Sequence, residues 1–487
     1  MSEKDTQLKK GRLGVLGIVF FVVAASAPLV GMTGAVPVAI VAGNGAAASG
    51  TYVAVGLILL LFSVGYTRMS SQVTNAGAFF AYVGKGLGKH MGVASAFASL
   101  VGYITIQLAI YGFFGGLLAM QTGMLNWWAW AIVGWLVVTG LSLLSVDVGA
   151  KVLGTLMVLE LLSLVIMSVA ILVNGGPEGM NFEASFSPAN IFAGGFEGGA
   201  GIAIAFAFAS FIGFEATAIY GEESKDPKRA VPRATYWAIG IITVLFGLVS
   251  FAMVTGYGSS KVIDQVLANS DGLANPAGAV FALAGQYVGP WLPDVMSWLV
   301  VSSLFAGLLA FQNAASRYFF ALGRGGVLPK SLGKTNNAGA PQNGVIVTSV
   351  VALLVIAGFA LAGLDGIGNL FFWMSAVTAV AIIFVEILVS IAIVAHFSKN
   401  KGANVWQGTI APIVAAIGLA LGEYLLMSRF NLLGSLAPTP ERSGNAWDLS
   451  PLGWFLVLSP FIAAVIGYIV STVNKNENSD LVNDILS

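Results

Sequence analysis

Long apolar stretches alternate with short polar connections along almost the whole chain. A helix needs about 20 mostly apolar residues to cross a membrane, and twelve stretches meet that length. No charged residue lies between Arg12 and Arg68, and this length suits two helices joined by a turn at 43–45. The pattern predicts an all-α integral membrane protein with twelve transmembrane helices, at about 13–42, 50–67, 92–121, 125–146, 150–174, 199–221, 231–256, 293–322, 343–363, 367–394, 405–427 and 451–473.

Positive charges fall mainly on one side of this predicted topology. If the N-terminus is cytoplasmic, all but three of the 22 Lys and Arg residues lie on the inner side, and the exceptions are Lys261, Arg429 and Arg442. The positive-inside rule therefore predicts a multi-pass protein of the cytoplasmic (inner) membrane with cytoplasmic tails at 1–12 and 474–487. The semi-apolar stretch 277–288 is too short to span and is expected on the outer surface.

Composition excludes several classes of function. Hydrophobic residues make up 57% of the chain and charged residues 9%, whereas soluble domains carry about 25% charged residues. The formal net charge is zero, so we expect no nucleic-acid partner. The chain has no Cys and two His, His90 and His396, both in predicted loops, so we predict no disulfide, no metal site and no cofactor.

Two predicted helices are interrupted by Pro or Gly within an apolar stretch. Pro28 and Gly31 interrupt the first, and Gly213 interrupts the sixth. In lipid, each backbone group freed by such a break costs several kcal/mol unless protein, water or a ligand satisfies it. Matched breaks in two halves of a chain are the best pointer in a sequence to the substrate site of a transporter.

The spacing of the breaks predicts an internal repeat. They lie five helices apart, and because five is odd the second half enters the membrane from the opposite side. We therefore predict a five-plus-five inverted repeat, with a first unit at 13–174 and a second at 199–394. The last two helices, within 405–473, are additional.

Three stretches carry a family resemblance: 75–88, 206–234 with Gly-Phe-Glu at 213–215, and 313–329. They resemble the amino acid–polyamine–organocation permeases, and the likeness covers nearly the whole chain. It implies a LeuT-like fold with discontinuous helices 1 and 6 and a secondary transporter that works by alternating access. The chain departs from the commonest family pattern at 26–31, where Ser-Ala-Pro-Leu-Val-Gly replaces a Gly-rich turn.

The two breaks suit opposite ends of an amino acid. A half-helix that begins at Val30 or Gly31 presents free N–H groups and a positive dipole end to a carboxylate. Carbonyl groups near the second break suit an ammonium group. The alternative is a pair of kinks that serve packing. The candidate substrate-binding residues at the breaks are Ser26, Ala27, Leu29, Val30, Gly31, Phe208, Ala209, Ser210, Phe211 and Gly213.

The side chain of the substrate should meet helices three, six, eight and ten. The candidates outside the breaks are Tyr103, Gln107, Tyr111, Phe372 and Trp373. They are mostly aromatic and indicate a small or apolar substrate, although each also suits a helix core. An amine or polyamine is the alternative, because Glu160 or Glu215 would supply the acidic groups that it needs.

Four charged residues are candidates for coupling or gating. Glu160 lies in the middle of helix five, where inserting a charged side chain into the membrane costs roughly 2.5–3.5 kcal/mol. We therefore expect Glu160 to carry a proton, to bind sodium together with Ser302 and Ser303, or to pair with a buried polar group. Glu215 at the second break is expected to pair, to carry a proton or to stabilise a helix start. Arg317 and Glu386 are expected to form part of an inner gate, and the alternative for Arg317 is a side chain that extends to the membrane interface. Glu423 is expected at the membrane surface.

These observations predict a secondary active transporter for a small amino acid, coupled to protons. An amine permease, an exchanger of the same fold and a sodium symporter remain alternatives. The chain has no G-x-x-x-x-G-K-[ST] stretch for ATP, no repeated pore motif, and no acid–base pair at helical spacing. An ATP-driven pump, a channel and a membrane enzyme are therefore not expected.

Overall fold

The fold was examined in a computed structural model that describes residues 14–73, 79–144, 150–219, 224, 226–433 and 436–473. The predicted tails 1–12 and 474–487, the start of the stretch 75–88 and most of the charged loop at 220–225 lie outside the described residues. The longer helices are Val15–Ala25, Ala48–Ser70, Phe79–Leu87, Lys89–Thr122, Trp127–Leu143, Ala150–Asn174, Ala200–Phe211, Pro227–Tyr257, Val262–Asn269, Pro276–Tyr287, Trp291–Arg324, Gln342–Leu361, Phe372–Lys399, Ala411–Ser428 and Pro451–Val473.

The described part of the chain is helical because its apolar runs are long and bounded by residues that end helices. Gly123, at φ 62°, closes the helix Lys89–Thr122 in the left-handed conformation that glycine tolerates. Asp365 caps the π-helical turn Gly366–Phe371 by accepting hydrogen bonds from the N–H groups of Ile367 and Gly368, at 2.8 and 2.6 Å.

Membrane insertion follows from helix length and composition. Within the described ranges, nine helical segments are long and apolar enough to cross a membrane, and Trp127–Leu143 and Ala200–Phe211 are shorter apolar helices. One of the nine, Pro28–Ser70, contains a change of direction, because Gly43 has non-helical angles and Gly45 has φ 62°. Many large apolar side chains face outward, which suits a lipid environment. The count of twelve and the inverted repeat stay predictions.

Small residues set the close helix contacts. A Cβ placed on Gly56 would lie 2.2 Å from Oγ1 of Thr243, and one on Gly112 would lie 2.3 Å from the carbonyl oxygen of Gly366. Such contacts allow backbones to approach closely where lipid offers no hydrophobic drive for helix association. They bring the helices Ala48–Ser70 and Lys89–Thr122 into the bundle beside the two interrupted helices.

The helix Pro276–Tyr287 covers most of the short semi-apolar stretch that is expected on the outer side of the membrane. Its residues Ala277, Val280 and Leu283 are buried. The helix packs against the π-helical segment Gly31–Ala35 that follows the first break. Its apolar face is therefore covered by the interrupted first helix.

Candidate functional site

The first break is a single residue in an unusual conformation. Ala27 has φ 42° and ψ 67°, a left-handed geometry that is uncommon for a residue with a Cβ. Pro28 then starts a new helical turn, Pro28–Val30. Because the first N–H groups of a helix have no intrahelical acceptor, Leu29 and Val30 present free donors here. This strained backbone is of the kind that clusters at functional sites.

The second break ends the helix Ala200–Phe211. Ile212 takes an extended ψ of 135°, and Gly213 has φ 116°, which glycine alone adopts without strain. The carboxylate of Glu215 accepts a hydrogen bond from the Gly213 N–H at 2.8 Å. A short helix resumes at Ala216–Ile219. The last carbonyl groups of Ala200–Phe211 are left without intrahelical donors, as at any helix end.

The two breaks meet at one cavity. Its empty volume is about 440 Å³, a figure that includes the open solvent at its mouth. Its walls come from both broken helices and from the helices Lys89–Thr122, Trp291–Arg324 and Phe372–Lys399. The lining residues are Ser26, Ala27, Val30, Gly31, Ala35, Ile106, Ile110, Phe206, Ala209, Ser210, Ile212, Phe311, Phe371 and Ser375.

Ser210 ties the second break to its surroundings. Its hydroxyl donates to the carbonyl oxygen of Phe206 at 2.7 Å and lies 3.3 Å from the hydroxyl of Tyr52. A Cβ on Gly31 would lie 3.3 Å from the side chain of Ser210. The two breaks therefore pack so closely at this point that position 31 has little room for a side chain.

The structure brings six of the predicted substrate-binding residues to the cavity wall: Ser26, Ala27, Val30, Gly31, Ala209 and Ser210. Leu29, Phe208, Phe211 and Gly213 lie in or next to the breaks but do not line this cavity. Phe208 and Phe211 line a second, smaller pocket. Whether any of these residues binds substrate stays a prediction.

The predicted side-chain contacts lie elsewhere in the bundle. Gln107 hydrogen-bonds to Gln312, and the ring of Tyr103 lies 5.1 Å from that of Tyr318. Trp373 packs on Phe359 at 5.8 Å between ring centroids. Tyr111 and Phe372 are buried but are not part of the cavity wall.

The walls of the cavity include residues that the sequence analysis did not select. Ile106 and Ile110 are one helical turn apart and lie beside the predicted face of Tyr103 and Gln107. Phe371 precedes the predicted Phe372. The sequence predicts which helices line the cavity but not which face of each helix points into it. An error of one residue along a helix turns the predicted face by about 100°. Phe206 lies in the stretch 206–234 that carries the family resemblance, and this is the sequence feature that points to it as a site residue.

Three phenylalanines cover one side of the cavity. The ring of Phe371 stacks on Phe113 at 4.8 Å and lies 6.5 Å from Phe206. A Cβ on Gly34 would lie 3.0 Å or less from these rings of Phe113 and Phe371. Phe371 ends the π-helical turn Gly366–Phe371, and such turns are frequent at functional sites.

Glu160 lies on a helix that packs against the first break. Its side chain is 4% exposed, and the hydroxyl of Ser302 lies 3.5 Å from its Oε1. Ser303 also interacts with this carboxyl group. The turn Pro28–Val30 packs against both helices that carry these residues, Ala150–Asn174 and Trp291–Arg324. The carboxyl group and the two hydroxyls therefore join two helices that hold the first break in place.

The other candidate charges are buried away from the cavity wall. Glu215 is 0% exposed and Glu386 is 1% exposed. Oε2 of Glu386 has no hydrogen-bond partner among the described residues, so this oxygen does not accept from Arg317. Glu423, expected at the membrane surface, is 7% exposed, and its helix Ala411–Ser428 packs against Ala200–Phe211 and Phe372–Lys399.

The cavity itself carries no formal charge. Among the described residues that line it, none has an ionisable side chain, and its polar groups are Ser26, Ser210, Ser375 and the free backbone groups of the breaks. Within the described ranges, no group of three or more His, Cys, Asp or Glu residues is placed to hold a metal ion.

Comparison with known proteins agrees with this architecture. The sequence profile of a family described as amino acid permease matches residues 13–479. A branched-chain amino acid permease of Lactococcus lactis subsp. cremoris is 30% identical over 46% of this chain and 45% of its own length. An amino-acid permease of Candida albicans is 26% identical over 64% of this chain and 50% of its own length.

A third relative, an aromatic amino acid permease of Lactococcus lactis subsp. cremoris, is 27% identical over 44% of each chain. The chain spans about half the length of the curated relatives that it matches. The alignments therefore support the family more strongly than they support any one substrate.

Proposed function

This chain belongs to the amino acid permease family, and we propose that it is a secondary active transporter that carries a small, uncharged-side-chain amino acid across the cytoplasmic membrane. The observation that carries this proposal is the meeting of two broken helices at one cavity. Broken helices at the middle of the bundle supply both kinds of backbone group that a zwitterion needs.

The orientation of the substrate follows from the ends of the half-helices. The N–H groups of Leu29 and Val30 and the positive dipole end of their helix suit the substrate carboxylate. The carbonyl groups at the end of Ala200–Phe211 suit the ammonium group. Ser26 and Ser210 lie on the same wall and add hydroxyls that hydrogen-bond to either group.

The walls of the cavity favour an apolar substrate side chain over a charged one. Ile106, Ile110, Phe206, Phe311 and Phe371 surround the space beyond the breaks. A polyamine carries a second cationic group, and burying that group without a carboxylate partner would cost several kcal/mol. The absence of ionisable side chains among the described lining residues therefore favours an amino acid over an amine.

Coupling is proposed at Glu160. Protonation removes the charge of this carboxyl group, which contacts Ser302, and the helices that carry Glu160 and Ser302 both pack against the turn Pro28–Val30. A change in its charge would therefore act on the backbone that receives the substrate carboxylate. Sodium is the second candidate ion, since Ser302 and Ser303 place two further oxygens near Glu160.

Alternating access is proposed to move the unit 13–174 against the unit 199–394 around the two breaks. In this proposal both termini are cytoplasmic, and the additional helices within 405–473 support the second unit. The helix Ala411–Ser428 packs on Ala200–Phe211, which gives that support a physical contact.

Uptake into proteoliposomes tests the proposed function. We would offer labelled leucine, alanine, phenylalanine, lysine and putrescine, with an inward proton gradient, an inward sodium gradient or neither. The proposal expects uptake of neutral amino acids that rises with the proton gradient. Uptake of putrescine alone would overturn the role of the first break, and stimulation by sodium alone would overturn proton coupling.

A further inference from the structure

Besides Glu160, three carboxyl groups are buried along the helix Ala200–Phe211 and its break. Glu423 directly follows Gly422 in the helix Ala411–Ser428. Gly422 lies close to the helix Ala200–Phe211, since a Cβ on Gly422 would lie 3.4 Å from atoms of Ile204 and Phe208. Glu386 shares a pocket with Phe208 and Ile212. Glu215 follows the break itself. The three groups therefore lie at successive levels of one interrupted helix.

Each of these groups has an oxygen that the described residues do not satisfy. Oε2 of Glu386, Oε1 of Glu215 and both carboxyl oxygens of Glu423 are buried without a hydrogen-bond partner among the described residues. A buried carboxylate without hydrogen bonds or a counter-ion is strongly unfavourable. A bound proton removes that cost, because it neutralises the group and turns it into a hydrogen-bond donor.

The pocket of Glu386 selects for a proton over a metal ion. Its empty volume is about 190 Å³. Hard cations require several oxygen ligands, whereas the remaining lining residues of this pocket have apolar side chains. Those residues are Leu59, Phe208, Phe211, Ile212, Phe214, Ala379, Ile382 and Ile383. This environment differs from that of Glu160, which has two serine hydroxyls beside it.

The titratable groups around Glu386 reinforce this assignment. Glu215 and Glu423 both act on it electrostatically, from the second break and from the helix Ala411–Ser428. From the helix Ala48–Ser70, the hydroxyl of Tyr66 donates to the backbone carbonyl oxygen of Glu215 at 2.9 Å. From the helix Lys89–Thr122, Tyr103 interacts with the carboxyl group of Glu215. Like charges in a shared low-dielectric region cannot all be ionised together.

One residue lines both this pocket and the substrate cavity. Ile212 lines both spaces, and it is the residue at which the helix Ala200–Phe211 leaves helical geometry. A substrate that binds at the second break therefore presses on the residue that also forms the wall of the Glu386 pocket. Binding of substrate in the cavity and binding of a proton to Glu386 therefore both act on the backbone at Ile212.

We propose that Glu386 is a second proton-binding site, coupled to the substrate cavity through Ile212 and assisted by the neighbouring carboxyl groups of Glu215 and Glu423. The site is distinct from Glu160, which lies beside Ser302 and Ser303 and does not line the pocket of Glu386. Proton binding at Glu386 stands without the proposed function, whereas its coupling to substrate rests on it.

Infrared spectroscopy of the full-length protein in lipid tests proton binding directly. At neutral pH a protonated carboxylic acid gives a carbonyl stretching band that a carboxylate lacks. We expect Glu386→Gln to lose the band of one carboxylic acid relative to the wild type. The exposed Glu183→Gln is the matched control and should retain every band.

A second variant keeps the test decisive if Glu386→Gln does not fold. Glu386→Asp retains the carboxyl group and should shift the band in frequency without removing it. Identical carbonyl spectra in the wild type and in every folded Glu386 variant would overturn the assignment, whatever the transport assay shows.

Coupling is tested by adding the amino acid that the uptake assay identifies. The proposal expects substrate to shift the Glu386 carbonyl band in the wild type and equally in the control Glu183→Gln, and to cause no such shift in Glu386→Gln. An unchanged band on saturating substrate would leave a proton site without coupling and would overturn the role of Ile212. A failure to find any transported amino acid would overturn the proposed function, while the band itself still reports on Glu386.

Discussion

Gly31 and Ser210 face each other where the two broken helices meet. A Cβ built on Gly31 would lie 3.3 Å from both Cβ and Oγ of Ser210. Both residues line the cavity, and Ser210 is held by the carbonyl oxygen of Phe206 and by proximity to Tyr52. The separation of the two half-helices is therefore set by the missing side chain of Gly31.

Gly31→Val tests this relationship. The larger side chain must displace Ser210 or the turn Pro28–Val30, so we expect substrate to bind about tenfold more weakly or worse, which corresponds to about 1.4 kcal/mol. Binding of labelled substrate to purified protein measures the effect. Gly140→Val is the control, because a Cβ at this exposed helical position has nothing within 4 Å. Equal affinity in both variants would show that the substrate does not bind between the breaks.

Glu160→Gln tests the proposed coupling site. A glutamine cannot exchange a proton, so we expect gradient-driven uptake to fall by tenfold or more while exchange of internal for external substrate persists. The dependence of uptake on external pH should become weaker than in the wild type, with only the part that Glu386 supplies remaining. Glu183→Gln should keep the wild-type profile, since this side chain is exposed. A wild-type pH profile in Glu160→Gln would remove Glu160 from coupling.

Ile110→Ala tests whether the apolar wall selects the substrate. Removing this lining side chain enlarges the cavity, so preference should move from smaller to larger neutral amino acids. A difference of one or two methylene groups corresponds to about 10- to 200-fold in selectivity. Competition between alanine, leucine and phenylalanine for uptake measures it. Ile413→Ala, on an exposed helix face, should leave the ranking unchanged.

Glu178 gives a pH-dependent contribution to stability outside the membrane. Hydrogen bonds from the side chain and N–H of Ser260, and from Ser259, hold its pKa below the ordinary value of 4.5. A carboxyl group whose folded pKa is lowered contributes stability above the unfolded pKa and loses it as pH falls through the folded pKa. The Tm of Glu178→Gln should therefore lie below that of the wild type at neutral pH. This difference in Tm should shrink as the pH falls and vanish in stronger acid. A difference that stays constant with pH would exclude this ionised contact.

Cysteine labelling tests the predicted orientation. The natural chain has no cysteine, so single substitutions report without background. Met180→Cys and Lys330→Cys are both at exposed positions. We expect an impermeant maleimide added outside intact cells to label position 180 and not position 330. Labelling of both from the same face would contradict the predicted topology and the inverted repeat built on it.

The buried carboxyl groups show the limit of reading charge along a chain. Glu160 and Glu386 were selected because they interrupt apolar stretches, and both are buried. The position of Glu423 near a helix end predicts the membrane surface and does not predict that the side chain is buried, as it is. Burial depends on which helices pack around the residue, and one helix packed against its own, Ala200–Phe211, is about 220 residues away in sequence.

The sequence by itself determined the membrane environment, the positions of the two breaks and the family. These features are local: apolar length fixes insertion, and Pro28 and Gly213 interrupt helices wherever the helices pack. The tertiary structure decided which faces of the helices line the cavity, placing Ile106 and Ile110 there in place of Tyr103 and Gln107. Lipid is as apolar as the protein interior, so hydrophobicity does not mark the inward face of a membrane helix, and rotation is set by packing between helices.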